Sequence, residues 1–128
     1  MDLKGLRVRC LRVTSEAEAL AALNGVDADP NGVEAMLSKM IHLNILLEEV
    51  ECKIANIIKQ EMLSLGGDAA IASDAIGSRI ASTDVILIGT LKQIRCFTDK
   101  IAGGPFGFDG YSDRIREALG NLASNSAV

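Results

Sequence analysis

Residues 57–71, IIKQEMLSLGGDAAI, constrain the fold more than any other stretch of this 128-residue chain. Ile54, Ile57, Ile58, Met62 and Leu65 recur at helical spacing while Lys53, Asn56, Gln60 and Ser64 occupy other faces, so the chain enters this passage as an amphipathic helix. Gly66-Gly67 ends it, because glycine takes a positive φ without a Cβ clash. Residues 69–72 then leave as a short strand. Upstream, Ile41, Leu43, Ile45 and Leu47 alternate with His42, Asn44 and Glu48, with Leu46 interrupting the polar side. Strand, helix and strand in succession suggest a right-handed crossover.

The rest of the chain supplies elements around that unit. Leu6, Val8 and Cys10 alternate with Arg7, Arg9 and Leu11, the pattern of a half-buried edge strand. Ser15 and Glu18 form a capping box ahead of Ala19, Leu20 and Leu23, with Gly25 as a left-handed terminator. Asp29-Pro30 offers an N-cap and a first-turn proline to a helix carrying Val33, Met36, Leu37 and Met40. Residues 73–84 are polar and aperiodic, a loop or a poorly formed helical turn. The continuous apolar run 85–88 suits a central strand covered on both faces. Gly89-Thr90 opens a helix with the stripe Leu91, Ile94, Phe97 and Ile101, which Gly103-Gly104-Pro105 stops. A last helix carries Tyr111, Ile115, Leu119 and Leu122, and residues 124–128 are expected to fray. The sum is a single α/β (or α+β) domain over residues 1–123. Its expected core is a small mixed sheet of about four strands with helices packed on it, in the order β-α-α-β-α-β-β-α-α.

Composition narrows the function. Aromatics make up only 3% with no Trp, so no stacking platform for bases is expected. Net charge is −4, which gives no electrostatic footprint for nucleic acid or an anionic membrane surface, and neither is expected as a partner. No apolar run approaches the ~20 residues that span a bilayer, and MDLKGLRVRC lacks the apolar core of a secretory signal. A cytoplasmic address is the expectation. Cys10, Cys52 and Cys96 are widely spaced without a CxxC pair or His cluster, so no metal site is expected and the thiols read as reduced and largely buried.

Each candidate for chemistry has a plainer structural role beside it. The Gly66-Gly67-Asp68 turn could bring backbone amides to a ligand, yet a helix C-terminus presents carbonyls and the negative end of the dipole, which disfavours an anion. Thr90 has the opposite polarity, at a helix start after a strand, where free N–H groups attract anions and Lys92 could add charge. An ordinary threonine N-cap is the commoner role. Lys59, Gln60 and Glu61 follow one another on a helix and point roughly 100° apart, so they do not converge on one substrate atom. A solvated or interface-facing surface suits them better. His42 sits on the polar face of its strand without triad partners nearby in sequence, and Cys52 and Cys96 read as buried hydrophobes. Phe106 and Phe108 lie in the glycine-rich run GGPFGF and either dock against a partner or fold back onto the domain.

An ordered series of short motifs carries a resemblance: NIIKQEML at 56–63, GGDAA at 66–70, DVILIGTLKQ at 84–93 and PFGF at 105–108. Together they resemble the N-terminal extension of long-form dihydropteroate synthases of some bacteria and archaea, over residues 55–119 with gaps. In that family a pterin-binding (β/α)8 barrel condenses a dihydropterin pyrophosphate with p-aminobenzoate and carries the catalytic residues. Such a barrel needs around 250 residues, so none of it is here and no catalytic residue carries over. The resemblance implies an accessory domain without catalytic activity or a cofactor of its own, with a pterin-binding barrel or a second copy as partner. It marks Lys59, Gln60, Glu61, Gly66, Gly67, Asp68, Gln93 and Phe106 as signature or interface positions. A small-molecule binder taking a phosphate or pterin pyrophosphate at Thr90 and Lys92 is the alternative.

Overall fold

The computed structural model describes residues 2–103 and 108–126. Helices α1 (Glu16–Gly25) and α2 (Val33–Met40) lead into strand β1 (His42–Glu51), helix α3 (Cys52–Ser64) and strand β2 (Asp68–Ile71). A single turn of helix, α4 (Ser73–Ile76), precedes strand β3 (Ser82–Thr90), and helices α5 (Leu91–Ala102) and α6 (Asp109–Ser126) follow. The α/β class stands. The sheet has three strands in the order β1-β3-β2, and both pairings with β3 are antiparallel. β1 and β2 therefore run the same way, as a crossover requires, but β3 lies between them. The mixed, roughly four-stranded sheet expected from the sequence is instead a wholly antiparallel three-stranded one.

The missing strand is residues 6–10. Their alternation is real, but a strand also needs a neighbouring backbone to pair with. Among the described residues no such neighbour pairs with them, and Leu6 and Val8 are 63% and 84% exposed. The other departures are local. The α1 cap is made by Ser15, whose hydroxyl accepts from Glu18 N at 3.1 Å, while the Glu18 carboxylate reaches Thr14 instead of closing the box on Ser15. The left-handed residue after α1 is Asp27 (φ 60), not Gly25. Asp29-Pro30 forms a turn before α2, in which the Asp29 carboxylate accepts from Asn31 N, and the N-cap is Gly32. Residues 73–76, in the stretch expected to be irregular, make the helical turn, and β3 starts three residues before Val85.

One face of the sheet makes the core. Val85 and Leu87 of β3, Ala69 of β2 and Val50 of β1 point at Ala55, Ile58 and Met62 of α3 and at Ile94, Phe97 and Ile101 of α5. The α5 stripe is buried as its spacing predicts. Phe108 folds back into this core, with its ring edge-on to Tyr111 at 5.8 Å between centroids. Among the described residues no element is packed over the other face. Ile86 and Ile88 remain 40% and 42% exposed and Leu46 56%, so the run 85–88 is covered on one side only. Register sets Leu46, Ile86 and Ala70 in one row across the three strands and Asn44, Ile88 and Asp68 in the next.

Candidate functional site

Three of the signature positions, Gly66, Gly67 and Gln93, meet with Thr90 where α3 ends, β2 begins and β3 passes into α5. Gly66 takes φ 88, the left-handed turn that ends α3, and Gly67 N donates back to Met62 O at 3.0 Å. Gly67 has no room for a side chain, because a Cβ there would lie 2.7 Å from Ile88 O and 2.8 Å from the Met62 methyl. Gly89 is confined by a side chain and not by backbone, a Cβ there falling 2.9 Å from Gln93 Oε1, so a larger residue would displace the Gln93 amide. Glycine lets the α3 turn press directly onto the β3 backbone.

Gln93 fills the remaining space and binds both sides. Its Oε1 accepts from Thr90 N at 2.9 Å, its own N donates to Thr90 Oγ1 at 3.1 Å, and its Nε2 donates to Leu65 O at 3.2 Å. The first two bonds are a capping box on α5, and the third ties that helix start to the last turn of α3. Leu91 N donates to Ile41 O at 2.8 Å. Three amides at this helix start, those of Thr90, Leu91 and Gln93, are thus already engaged within the chain. Little donor capacity is left for an anion, and Lys92 projects into solvent.

The consecutive polar residues of α3 diverge as helix geometry requires. Lys59 Nζ reaches Asp68 Oδ1 at 3.1 Å and Ala69 O at 2.7 Å, clamping α3 to β2. Glu61 turns the other way and pairs with Lys100 of α5 at 2.5 Å. Gln60 is exposed. Asp68 accepts from Ala69 N at 2.7 Å, and that bond, followed by the Lys59 ammonium, holds its carboxyl below the ordinary carboxylate range. Lys59 and Glu61 thus make internal ties. Of the predicted positions, the structure brings together Gly66, Gly67, Thr90 and Gln93, places Lys59 with Asp68 on one flank and Glu61 on another, and leaves Lys92 apart. Phe106 lies outside the described residues.

His42 is exposed on the bare sheet face, and among the described residues no group of three His, Cys, Asp or Glu side chains could hold a metal ion. Cys52 is buried and its thiol donates to Ile80 O at 2.8 Å, but Cys10 and Cys96 are exposed, which corrects the expectation of buried thiols. Cys96 lies off the apolar stripe of α5, one residue before buried Phe97. A wide-mouthed groove of about 530 Å³ runs beside β1, lined by Leu47, Glu48, Val50, Gly110, Tyr111 and Arg114. No helix among the described residues is long and apolar enough to cross a membrane. The role of Gln93 was only half visible in sequence. Thr90-x-x-Gln93 fits the capping-box pattern, whereas a bond to Leu65 across 28 positions leaves no local signal.

Comparison with known proteins gives this junction a context. The chain is 31% identical over 112 residues, 88% of its length, to a probable bifunctional folylpolyglutamate synthase/dihydropteroate synthase of Halobacterium salinarum. It is 34% identical over 70 residues to the protein of that description from Haloferax volcanii. The match is to a segment. It spans 14% of the length of the first relative and 8% of the second. No family model matches the chain, and no solved structure does.

Proposed function

We propose that the chain is a non-catalytic accessory domain of a folate-pathway protein of the dihydropteroate synthase kind, acting in the cytoplasm as an extension N-terminal to a pterin-binding barrel. Its work is assembly, either docking that barrel or joining two copies. The observation that carries this reading is the bare sheet face, where Leu46, Ile86 and Ile88 lie exposed in adjoining strands. Contiguous exposed apolar surface of this kind marks an interaction site more often than chance exposure does. The resemblance of the motif series and the partial match to bifunctional folylpolyglutamate synthase/dihydropteroate synthases support the choice of such a barrel as partner. Gln93, the glycines and the Lys59–Asp68 pair then serve as the frame that keeps the face in shape.

The test is to mix the chain with its cognate barrel, follow association by sedimentation, and measure the synthase rate. Ile86→Lys and Leu46→Lys place charge on the open face without disturbing the core, and each is expected to weaken association at least about tenfold, the effect of losing roughly 1.4 kcal/mol. A barrel that neither binds the chain nor changes rate in its presence would overturn the proposal.

A further inference from the structure

The two outer edges of the sheet are treated differently. On β2 the backbone of Ala69 is closed off by side chains, its carbonyl by the Lys59 ammonium at 2.7 Å and its N–H by the Asp68 carboxylate at 2.7 Å. Covering an edge with charged groups in this way is how proteins prevent unwanted strand pairing. Among the described residues nothing comparable engages the outer edge of β1 between His42 and Glu48. That edge is regular for residues 42–47 and ends at a bulge, where Glu49 takes φ 55 and its N–H is held by Asp84. Leu43, Ile45 and Leu47 stay only half-buried at the margin of the core, and the groove beside α6 opens along the same strand. A fourth strand laid against β1 would cover them.

A segment of matching character is already in the chain. Residues 6–11 alternate Leu6, Val8 and Cys10 with Arg7, Arg9 and Leu11, and all of them are exposed and paired with no strand among the described residues; the Leu6 N–H makes only a local turn bond to Leu3 O at 3.0 Å. Residues 3–13 hold Lys4, Arg7, Arg9 and Arg12 with no acid, whereas the open end of β1 carries Glu48, Glu49 and Glu51, all exposed, with Asp84 alongside. Net charge is −4 for the chain and +3 for residues 1–13, leaving −7 for the rest. The arm and the edge are thus complementary in length, in alternation and in charge.

We propose that residues 6–11 pair with the outer edge of β1 in a second copy of this chain, in a reciprocal, two-fold exchange. Leu6, Val8 and Cys10 then extend the buried side beside Leu43, Ile45 and Leu47, and the arginines fall near the glutamates of β1. Strand addition of this kind draws its affinity from main-chain hydrogen bonds and its selectivity from the alternating side chains, and a two-fold arrangement uses each surface once per copy. The proposal gives a surface and an occupant to the assembly role argued above and rests on that reading.

The test compares the full chain with Val8→Pro by light scattering and amide hydrogen exchange. Val8 is 84% exposed, so proline there removes an arm N–H without touching the folded core. The full chain is expected to be a dimer with slowed exchange in residues 6–11 and 42–47. Val8→Pro is expected to associate at least about tenfold more weakly and to lose that protection, and added salt is expected to weaken the wild-type dimer. A chain that stays monomeric up to roughly 1 mM, the limit of weak specific association, overturns the proposal. So does a dimer indifferent to Val8→Pro, or a monomer whose arm is protected, which would mean pairing within one chain. Barrel association lost in Ile86→Lys but kept in Val8→Pro separates failure of this inference from failure of the accessory role.

Discussion

If Gln93 clasps two helices, removing its side chain must cost more than removing the cap alone. Gln93→Ala deletes the bond from Thr90 N at 2.9 Å and the bond to Leu65 O at 3.2 Å. At about 1 kcal/mol net for each half-buried hydrogen bond, less a few tenths for the better helix propensity of alanine, the loss is about 2 kcal/mol. Thr90→Ala removes only the hydroxyl that accepts from Gln93 N, about 1 kcal/mol for a typical N-cap. Gln93→Glu is the discriminating variant. A carboxylate still accepts from Thr90 N but sets an oxygen against Leu65 O, so it keeps the cap and loses the tie, again at a cost of about 1 kcal/mol or more. Urea unfolding followed at 222 nm gives the three values from shifts in midpoint at constant slope. For a chain of this length they correspond to falls in Tm of about 8 °C for Gln93→Ala and about 4 °C for the others. If Gln93→Ala proves no worse than Thr90→Ala, or Gln93→Glu matches the wild type, the bond to Leu65 holds nothing together and the clasp is refuted.

Three further outcomes follow from the same contacts. Asp68 is expected to titrate below the ordinary carboxylate value by NMR, and Lys59→Met to raise it only in part, because the Ala69 amide is the larger cause. Since its pKa is depressed on folding, the stabilisation is present above the unfolded value near 3.8 and disappears as pH falls through the folded value; Asp68→Asn should remove that component of acid sensitivity. Glu49→Gly is expected to stabilise the chain by about 1 kcal/mol in thermal melts, since Glu49 takes φ 55 at the β1 bulge and glycine does so without strain. Native thiol titration should find Cys10 and Cys96 reacting quickly and Cys52 only on unfolding, and fast labelling of Cys52 would contradict its burial beside Ile80.

Much of this arrangement is written in local pattern. The stripe of α5 and the left-handed Gly66 follow from period and from glycine chemistry, and both appear where the residues place them. What local pattern does not encode is who lies beside whom. Alternation in residues 6–11 identifies a segment able to pair, but pairing is a property of two segments, and within one described chain the second is out of contact. The run 85–88 fails for a related reason: four apolar residues are compatible with a strand covered on both faces, and only the layout of helices on one side shows that Ile86 and Ile88 are left over. Consecutive Lys59, Gln60 and Glu61 were legible as divergent, whereas their attachment to Asp68 and Lys100 depends on tertiary placement of β2 and α5.

The misfit between pattern and pairing is itself informative. Apart from small departures at helix ends and at Cys96, the largest disagreements between local signal and fold are one amphipathic segment and one sheet face, both at the surface. The bare face is normal to the sheet and the free edge lies in its plane, so a partner on one does not obstruct a partner on the other. The clasp at Gly67, Gly89 and Gln93 acts from the opposite side. It fixes where β2 and β3 sit relative to α3 and α5, and therefore how flat and how constant the row Leu46, Ile86 and Ala70 remains. Loosening the clasp should then weaken association through the face even though none of its residues lies on it. Gln93→Ala, assayed for barrel binding at a temperature where it is fully folded, is expected to bind more weakly than the wild type. Equal binding would mean that the face keeps its shape without the clasp, and that the signature residues matter for stability alone.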